Sequence, residues 1–251
     1  HKVNKIDLKS LAKRQWQDYQ QNNPGTFFST EKNTLSLEEA YEVQKEYTKI
    51  RCASGDEPIG YKVGCTGSKI IKQFGIAGPI YGRLFRNEIY VSGIKLKKNN
   101  FTNLAVEAEM AVEIGKDLKI KKAFPVIELH NFIFRSKKKS LMELIVNNAF
   151  NAGLVLSDKN IAKPINQWDS SKHLILKVND KIVEFGNPWA MKGGAIESVK
   201  WLQENLNLHG LFIKQNNIIL TGTSLSLYHV NVGDFISVFI DKDELVNCKI
   251  E

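Results

Sequence analysis

The sequence predicts a mixed α+β fold built round curved, mostly antiparallel sheet, and three observations lead there. Two amphipathic helical segments open the chain. From Ile59 onward the texture turns to short β-like runs separated by Gly, Pro and Asn, and the alternating strand–helix–strand units of a doubly wound sheet are absent. With 251 residues, 43% of them hydrophobic and 25% charged, the chain can bury a substantial core, which excludes collagen-like, coiled-coil and wholly disordered classes.

Taken in order, Ile6, Leu8, Leu11 and Trp16 fall on helical spacings until Asn22-Asn23-Pro24-Gly25 breaks the pattern. Ser36 and Glu39 form a capping box, after which Leu37, Ala40, Val43, Tyr47 and Ile50 trace one apolar stripe. Both helices belong to a lobe packed on something larger. Short helices are expected over 66–74, closed by Gly75, and over 140–152, with Ser140 and Glu143 as a second capping box and Gly153 as its stop. Strands are expected around Tyr61 and over 84–91, 105–114, 126–129 and 154–156. A hairpin about Asn179-Asp180 joins 174–178 to 182–185, a helix covers 196–206, and strands at 218–220 and 235–240 end the sheet.

Lys and Arg number 35 against 27 Asp and Glu, a net charge of +8 that permits nucleic acid, an anionic membrane surface or a small anionic substrate as partner. Nucleic acid would need clustered basic residues interleaved with aromatics. The lysines are scattered instead, with Lys137-Lys138-Lys139 the only run, so no nucleic-acid partner is expected. Cys52, Cys65 and Cys248 form no CxxC pair, which argues against a disulfide framework or zinc knuckle and for a reducing compartment. No apolar run approaches the roughly 18 residues of a membrane span, and the segment after His1 is charged where a signal peptide would be apolar. A cytoplasmic protein with no membrane partner is the expectation.

Val106, Ala108, Met110, Val112 and Ile114 alternate along one strand, so Glu107 and Glu109 share the opposite face about 6.5–7 Å apart. Carboxylates that close repel unless one is protonated or a cation intervenes, and hard divalent ions prefer oxygen ligands. Taken alone, the pair reads either as a water-facing sheet surface or as the floor of a metal pocket. Glu128 lies in the apolar run Pro125-Val126-Ile127-Glu128-Leu129, either as a buried acid that needs a partner or as an edge-strand acid. His130 shares its face and is read as a packed residue. Lys62 is flanked by Gly60 and Gly64 where a strand leads out, either a surface lysine or one able to bind a carboxylate or transfer a proton. Neither GxxxxGK[ST] nor GxGxxG occurs in this stretch. Leu220-Thr221-Gly222-Thr223-Ser224 offers hydroxyls and amides to an anion.

In this order the pieces resemble the 2-keto-4-pentenoate hydratase family, which includes 4-oxalocrotonate decarboxylases, within the fumarylacetoacetate hydrolase superfamily. The carriers are Gly60-Tyr61-Lys62-Val63-Gly64, Tyr81-Gly82-Arg83-Leu84, Val106-Glu107-Ala108-Glu109, Pro125-Val126-Ile127-Glu128, Asn147-Asn148-Ala149, Gly186-Asn187-Pro188 and Leu220-Thr221-Gly222-Thr223. The resemblance implies an N-terminal helical part, residues 1–58, packed on a catalytic β-roll domain, residues 59–251. It implies Mg²⁺ or Mn²⁺ held by Glu107, Glu109 and Glu128, with Lys62 as the catalytic residue and Asn148, Gly222 and Thr223 at the substrate. The implied activity is a lyase acting on a short unsaturated 2-oxo acid through a metal-stabilised dienolate, either hydrating it or removing CO₂. A homo-oligomer, or assembly with a related hydratase or decarboxylase subunit, is implied as well.

Two departures bear on the reaction. Family hydratases often carry an Asp in the stretch Gly78-Pro79-Ile80-Tyr81-Gly82, where this chain has Ile80, and decarboxylase-like members tend to be apolar there. The link between Glu109 and Glu128 is shorter than usual, which implies a trimmed or missing lid; Asn147 stands where an Asp is common. Three rivals stand beside the lyase. A decarboxylase of oxaloacetate-like keto acids is one. An acylpyruvate hydrolase would need a water-activating His that the stretch between His1 and His130 lacks. A non-catalytic structural relative is the third.

Overall fold

The computed structural model describes residues 7–25, 34–67, 72, 78–133 and 140–251. Helix α1 (Leu8–Gln20) starts on the Asp7 side chain, which accepts from the amides of Lys9 and Ser10. Helix α2 (Leu37–Ala53) carries the expected capping box in full, Ser36 accepting from Glu39 N while Glu39 accepts from Ser36 N. The helix expected over 66–74 and the lysine run at 137–139 fall largely outside the described residues. No described helix is long and apolar enough to cross a membrane.

Thirteen strands are described: β1 (Pro58–Gly64), β2 (Ile80–Phe85), β3 (Ile89–Val91), β4 (Ile94–Leu96), β5 (Leu104–Ile114), β6 (Ile120–Asn131), β7 (Asn151–Leu156), β8 (Leu174–Val178), β9 (Lys181–Gly186), β10 (Ile218–Leu220), β11 (Tyr228–His229), β12 (Phe235–Ile240) and β13 (Asp243–Ile250). They form two sheets. The larger has the order β2-β1-β10-β5-β6-β7-β3 with β11 on β5, and the smaller has the order β4-β13-β12-β8-β9. Only β1–β10, β3–β7 and β4–β13 are parallel, so the sheets are mixed and mostly antiparallel, as the sequence predicts.

Expectation and structure differ in five places, the first being that the strand expected over 84–91 is broken by the 3₁₀ turn Arg86–Glu88 into β2 and β3, at opposite ends of the larger sheet. The helix placed over 140–152 is only α3 (Leu141–Val146). The chain leaves it through Asn148, Ala149 and Phe150, all left-handed at φ 57°, 54° and 59°, and Gly153 lies inside β7. Strand β6 is far longer than 126–129. The turn at Gly115–Lys119, closed by Gly115 N on Lys119 O at 2.8 Å, lets β5 and β6 pair along their length. The short link between Glu109 and Glu128 is therefore the far half of a tight hairpin, with no lid in it. Finally, β12 does not end the sheet: β13 follows, burying Val246, Cys248 and Ile250 by period two against β12 and β4.

Each face of the β5–β6 hairpin has its own neighbours. Leu104, Val106, Ala108, Met110, Val112 and Ile114 of β5, with Ala123, Ile127 and Leu129 of β6, enter the main core. Leu11, Ala40, Val43 and Tyr47 of the two N-terminal helices, and helix α4 (Ala195–Asn207) through Leu202 and Leu206, enter the same core. Two smaller apolar clusters lie on the other face. One holds Leu84, Ala111, Phe124, Val126, Leu154 and Leu220, the other Ala105, Phe132 and Phe150. Between them, by the alternation of the strands, fall Glu107, Glu109, Glu128 and His130.

Arg51 fastens the helices to the sheet. It is 2% exposed, its Nε lies 2.9 Å from Asp56 Oδ2 and its Nη2 2.8 Å from Glu88 Oε1, and its guanidinium sits 3.9 Å from the Phe85 ring centroid. Glu88 also accepts a short hydrogen bond from the Tyr19 hydroxyl. Arg51→Ala, which strands two buried carboxylates, is expected to lower unfolding free energy by about 3–5 kcal/mol in urea titrations. Arg51→Lys should recover less than half of that, since an ammonium cannot fork between both acids; a change under 1 kcal/mol for the alanine variant would contradict the assignment.

Candidate active site

The site is built from five strands of the larger sheet. Register places Glu107 directly opposite Glu128, and the two-residue period brings Glu109 and His130 to the same face. Lys62 comes from β1, separated from β6 by β10 and β5 in the sheet order, yet its Nζ lies 3.0 Å from Glu128 Oε2. A long side chain and a curled sheet together close that gap. Lys62 Nζ also donates to Ala149 O at 3.1 Å, and Asn151 Nδ2 donates to Glu128 Oε2 at 2.8 Å. His130 Nε2 stands 2.6 Å from Glu107 Oε1 and 3.1 Å from Glu128 Oε1. Glu109 Oε2 accepts the Gly222 amide at 2.8 Å, and its carboxyl shares a hydrogen bond with Glu128.

Burial makes the charges interdependent. Lys62, Glu109, Glu128 and His130 are each no more than 6% exposed. Burial and then the adjacent Glu128 push the Glu109 carboxyl well above the usual range, which makes it the donor in the hydrogen bond it shares with Glu128. Burial opposes charge on Glu128 too, but Lys62 and then His130 outweigh it and hold that carboxyl low. Burial likewise disfavours charge on Lys62 and His130, and the carboxylates reverse it, raising both, with Glu128 the strongest contributor. Cys65, also close by, is pushed up to about 11 by burial and remains a thiol.

All three glutamates and Lys62 therefore meet in one place. Glu107, Glu128 and His130 offer ligand atoms within 4.8 Å of one another, with Glu109 one hydrogen bond further on. This donor set, rich in carboxylate oxygen, fits a hard divalent cation. Sequence reading missed His130 and Asn151. His130 had a signal, since Glu128 and His130 are two apart on one strand; the approach of Asn151 from β7 had none.

The residues expected at the substrate, Asn148, Gly222 and Thr223, have these surroundings. Asn148 is 2% exposed, and its amide is engaged at both ends by the Arg83 backbone: Oδ1 accepts from Arg83 N at 2.7 Å and Nδ2 donates to Arg83 O at 2.9 Å. Both ends of this side chain are thus committed to the β2 backbone. Gly222 gives its amide to Glu109, and a side chain there would come within 2.5 Å of Thr66 at a φ of +96°. Thr223 Oγ1 accepts from Leu225 N at 3.1 Å and keeps its own proton to donate. Ile80 is buried at 2% exposure and pairs with Gly64 beside Lys62, an apolar wall.

In fold the chain is similar to solved structures of the fumarylacetoacetate hydrolase type, among them a family protein from Yersinia pestis CO92 with a TM-score of 0.55 at 19% identity, over 76% of this chain and 92% of that one. A 4-oxalocrotonate decarboxylase from Pseudomonas putida G7, complexed with magnesium and adipate, superposes with a TM-score of 0.91 at 20% identity over 100% of both chains. The chain is homologous to 2-keto-4-pentenoate hydratase 1 of Dechloromonas aromatica, at 26% identity over 217 residues, 80% of this chain and 81% of that one. It is likewise 23% identical over 212 residues to a 4-oxalocrotonate decarboxylase from a Pseudomonas species, covering 80% and 82% of the two chains. No protein-family model matches.

A divalent cation held by Glu109 would compete with the proton that carboxyl favours, since burial and Glu128 raise it well above the usual range; Mn²⁺ affinity is therefore expected to rise with pH, with proton release measurable by calorimetry in buffers of different ionisation enthalpy. Glu128→Gln should weaken binding by at least tenfold. An affinity flat between pH 6 and 8 would contradict this picture.

Proposed function

We infer that the protein is a divalent-metal-dependent lyase acting on a short unsaturated 2-oxo acid, and that it removes CO₂ in preference to adding water. The proposed ligands are Glu107, Glu109 and Glu128: Mg²⁺ and Mn²⁺ favour oxygen, and His130, the softer donor, serves as hydrogen-bond partner of Glu107 and Glu128. When bound, the cation supplies Lewis-acid stabilisation of negative charge on the substrate's C2 oxygen.

The chain's own groups do the rest. Lys62, fixed on Glu128 and Ala149, presents an ammonium that orients the C1 carboxylate or gives a proton at the C2 oxygen. Thr223 offers a hydroxyl donor to the same carboxylate. In a substrate of the 4-oxalocrotonate type, the bond to the distal carboxylate breaks, its electron pair passes along the conjugated carbons, and the C2 oxygen ends as an enol. CO₂ leaves and one proton is taken up. The helical part, 1–58, is a packed support for the 59–251 roll, and the three free cysteines support cytoplasmic residence.

One observation favours decarboxylation over hydration: the apolar Ile80 stands against Gly64 beside Lys62, where a hydratase would place an acid to handle the water proton. An aliphatic side chain has neither donor nor acceptor. Purified protein with Mg²⁺ should release CO₂ from 4-oxalocrotonate, read by ultraviolet absorbance and CO₂ capture, at least tenfold faster than it hydrates 2-hydroxypenta-2,4-dienoate. The reverse ratio would overturn the preference, and silence on both substrates and on oxaloacetate, without metal binding, would overturn the lyase reading.

Self-association fits the outer edge of β9. This strand ends its sheet and exposes Ile182, Val183 and Phe185. In a two-fold antiparallel pairing, Lys181 faces the partner's Glu184 and Ile182 the partner's Val183, a self-complementary pattern. Light scattering should show at least a dimer that Val183→Asp converts towards monomer; a monomeric wild-type chain would exclude the pairing.

A further inference from the structure

We propose that Asn148 is a positioning residue for Lys62, acting through the left-handed segment Asn148–Phe150. This rests on the lyase reading above and adds to it the device that holds the catalytic ammonium in place. Lys62 Nζ has two oxygen partners: a carboxylate, Glu128, which belongs to the candidate metal cluster, and a backbone carbonyl, Ala149 O at 3.1 Å. A carboxylate engaged by a cation has less charge to offer Lys62, so the carbonyl is the anchor that persists whatever occupies the cluster. Its direction depends on the backbone that carries it.

That backbone is unusual. Three consecutive residues other than glycine are left-handed, φ 57°, 54° and 59°, a conformation that residues with a Cβ rarely adopt singly and do not keep in runs without outside support. The support is Asn148. Its amide bridges both the N–H and the C=O of Arg83, imitating a strand neighbour at the edge of β2, with 2.7 Å and 2.9 Å hydrogen bonds. Asparagine also tolerates left-handed geometry better than most residues. Gly82 completes the fit: a Cβ there would lie 2.6 Å from Asn148 O, and Gly82 is the cross-strand partner of Lys62 itself. The β1–β2 pair thus carries Lys62 at one position and, through Gly82 and Arg83, seats the loop whose carbonyl receives the Lys62 ammonium. Asn148 touches no reacting group in this arrangement. It fixes Ala149 O, and Ala149 O fixes Lys62.

Three variants test this. Asn148→Ala removes the clamp, Asn148→Gly removes it while relieving the left-handed strain, and Leu202→Ala destabilises α4 in the main core, which carries no residue of the clamp. Both Asn148 variants are expected to lose at least tenfold in kcat with KM within threefold and Mn²⁺ affinity within twofold of wild type. Leu202→Ala should keep kcat within twofold at a comparable loss of Tm. Limited acylation with mass spectrometry of metal-free protein gives a readout independent of turnover: Lys62 labelling should rise at least threefold in Asn148→Gly relative to the other lysines, and stay unchanged in Leu202→Ala. Unchanged kcat and unchanged Lys62 labelling in Asn148→Gly would overturn the proposal, as would equal effects from Leu202→Ala. If no substrate in the panel turns over, the labelling result alone decides the positioning claim, and the lyase reading fails separately.

Discussion

Buried carboxylates brought together on one sheet face demand positive charge, and the architecture round the site follows from that demand. At an effective dielectric near 20, two unit charges 4 Å apart interact by about 4 kcal/mol, so each uncompensated pair among Glu107, Glu109 and Glu128 would take a large share of a domain's stability. Protonation of Glu109, the ammonium of Lys62 and the imidazole of His130 relieve the repulsion. Each of these is weaker than a divalent ion, and two of them are protons that exchange with solvent. The site is a store of negative charge held in check, which is the electrostatic condition for taking up a hard cation.

The fold meets this condition by giving the β5–β6 hairpin two unlike faces. One face enters the main core and fixes the strands; the other carries the acids between two small apolar clusters. Those clusters keep water from the carboxylates, and loss of hydration is what drives Glu109 upward in the first place. Hairpin register sets Glu107 against Glu128, and a slip of either strand by one residue would turn that strand's glutamate into the main core. The tight turn at Gly115–Lys119 is accordingly part of the active-site design even though no turn residue touches the acids.

What could be read from the sequence was whatever local periodicity encodes. Alternation along 105–114 placed Glu107 and Glu109 on one face, the apolar run round Glu128 signalled burial, and Ser36 with Glu39 announced α2; all three features are present in the fold. Long-range partners were out of reach. Nothing near Asn148 announces that its amide will brace Arg83, 65 positions earlier, and the motif was consequently assigned to the substrate. The helix expected through Ala152 stops at Val146 because tertiary contacts to β2 override a helical pattern that is locally sound. His130 was legible by the same period-two rule that located the glutamates, and was passed over because a single histidine usually packs.

The choice between adding water and releasing CO₂ turns on whether the site has a base to spare. Hydration needs a group that accepts a proton from water and returns it elsewhere. Among the described groups at the site, Glu107 lies against His130, Glu128 is held by Lys62 and Asn151, and Glu109 keeps its own proton against Gly222 and Glu128. Cys65 is a thiol whose ionisation lies near 11, and Ile80 has no polar atom. Decarboxylation asks for less: an electron sink at the C2 oxygen, a fixed ammonium, and walls that strip water from the departing carboxylate. Lys62 supplies the fixed ammonium and Ile80 an apolar wall, which is what the proposed decarboxylation asks of the chain itself, whereas hydration would ask for a proton-handling group where Ile80 stands.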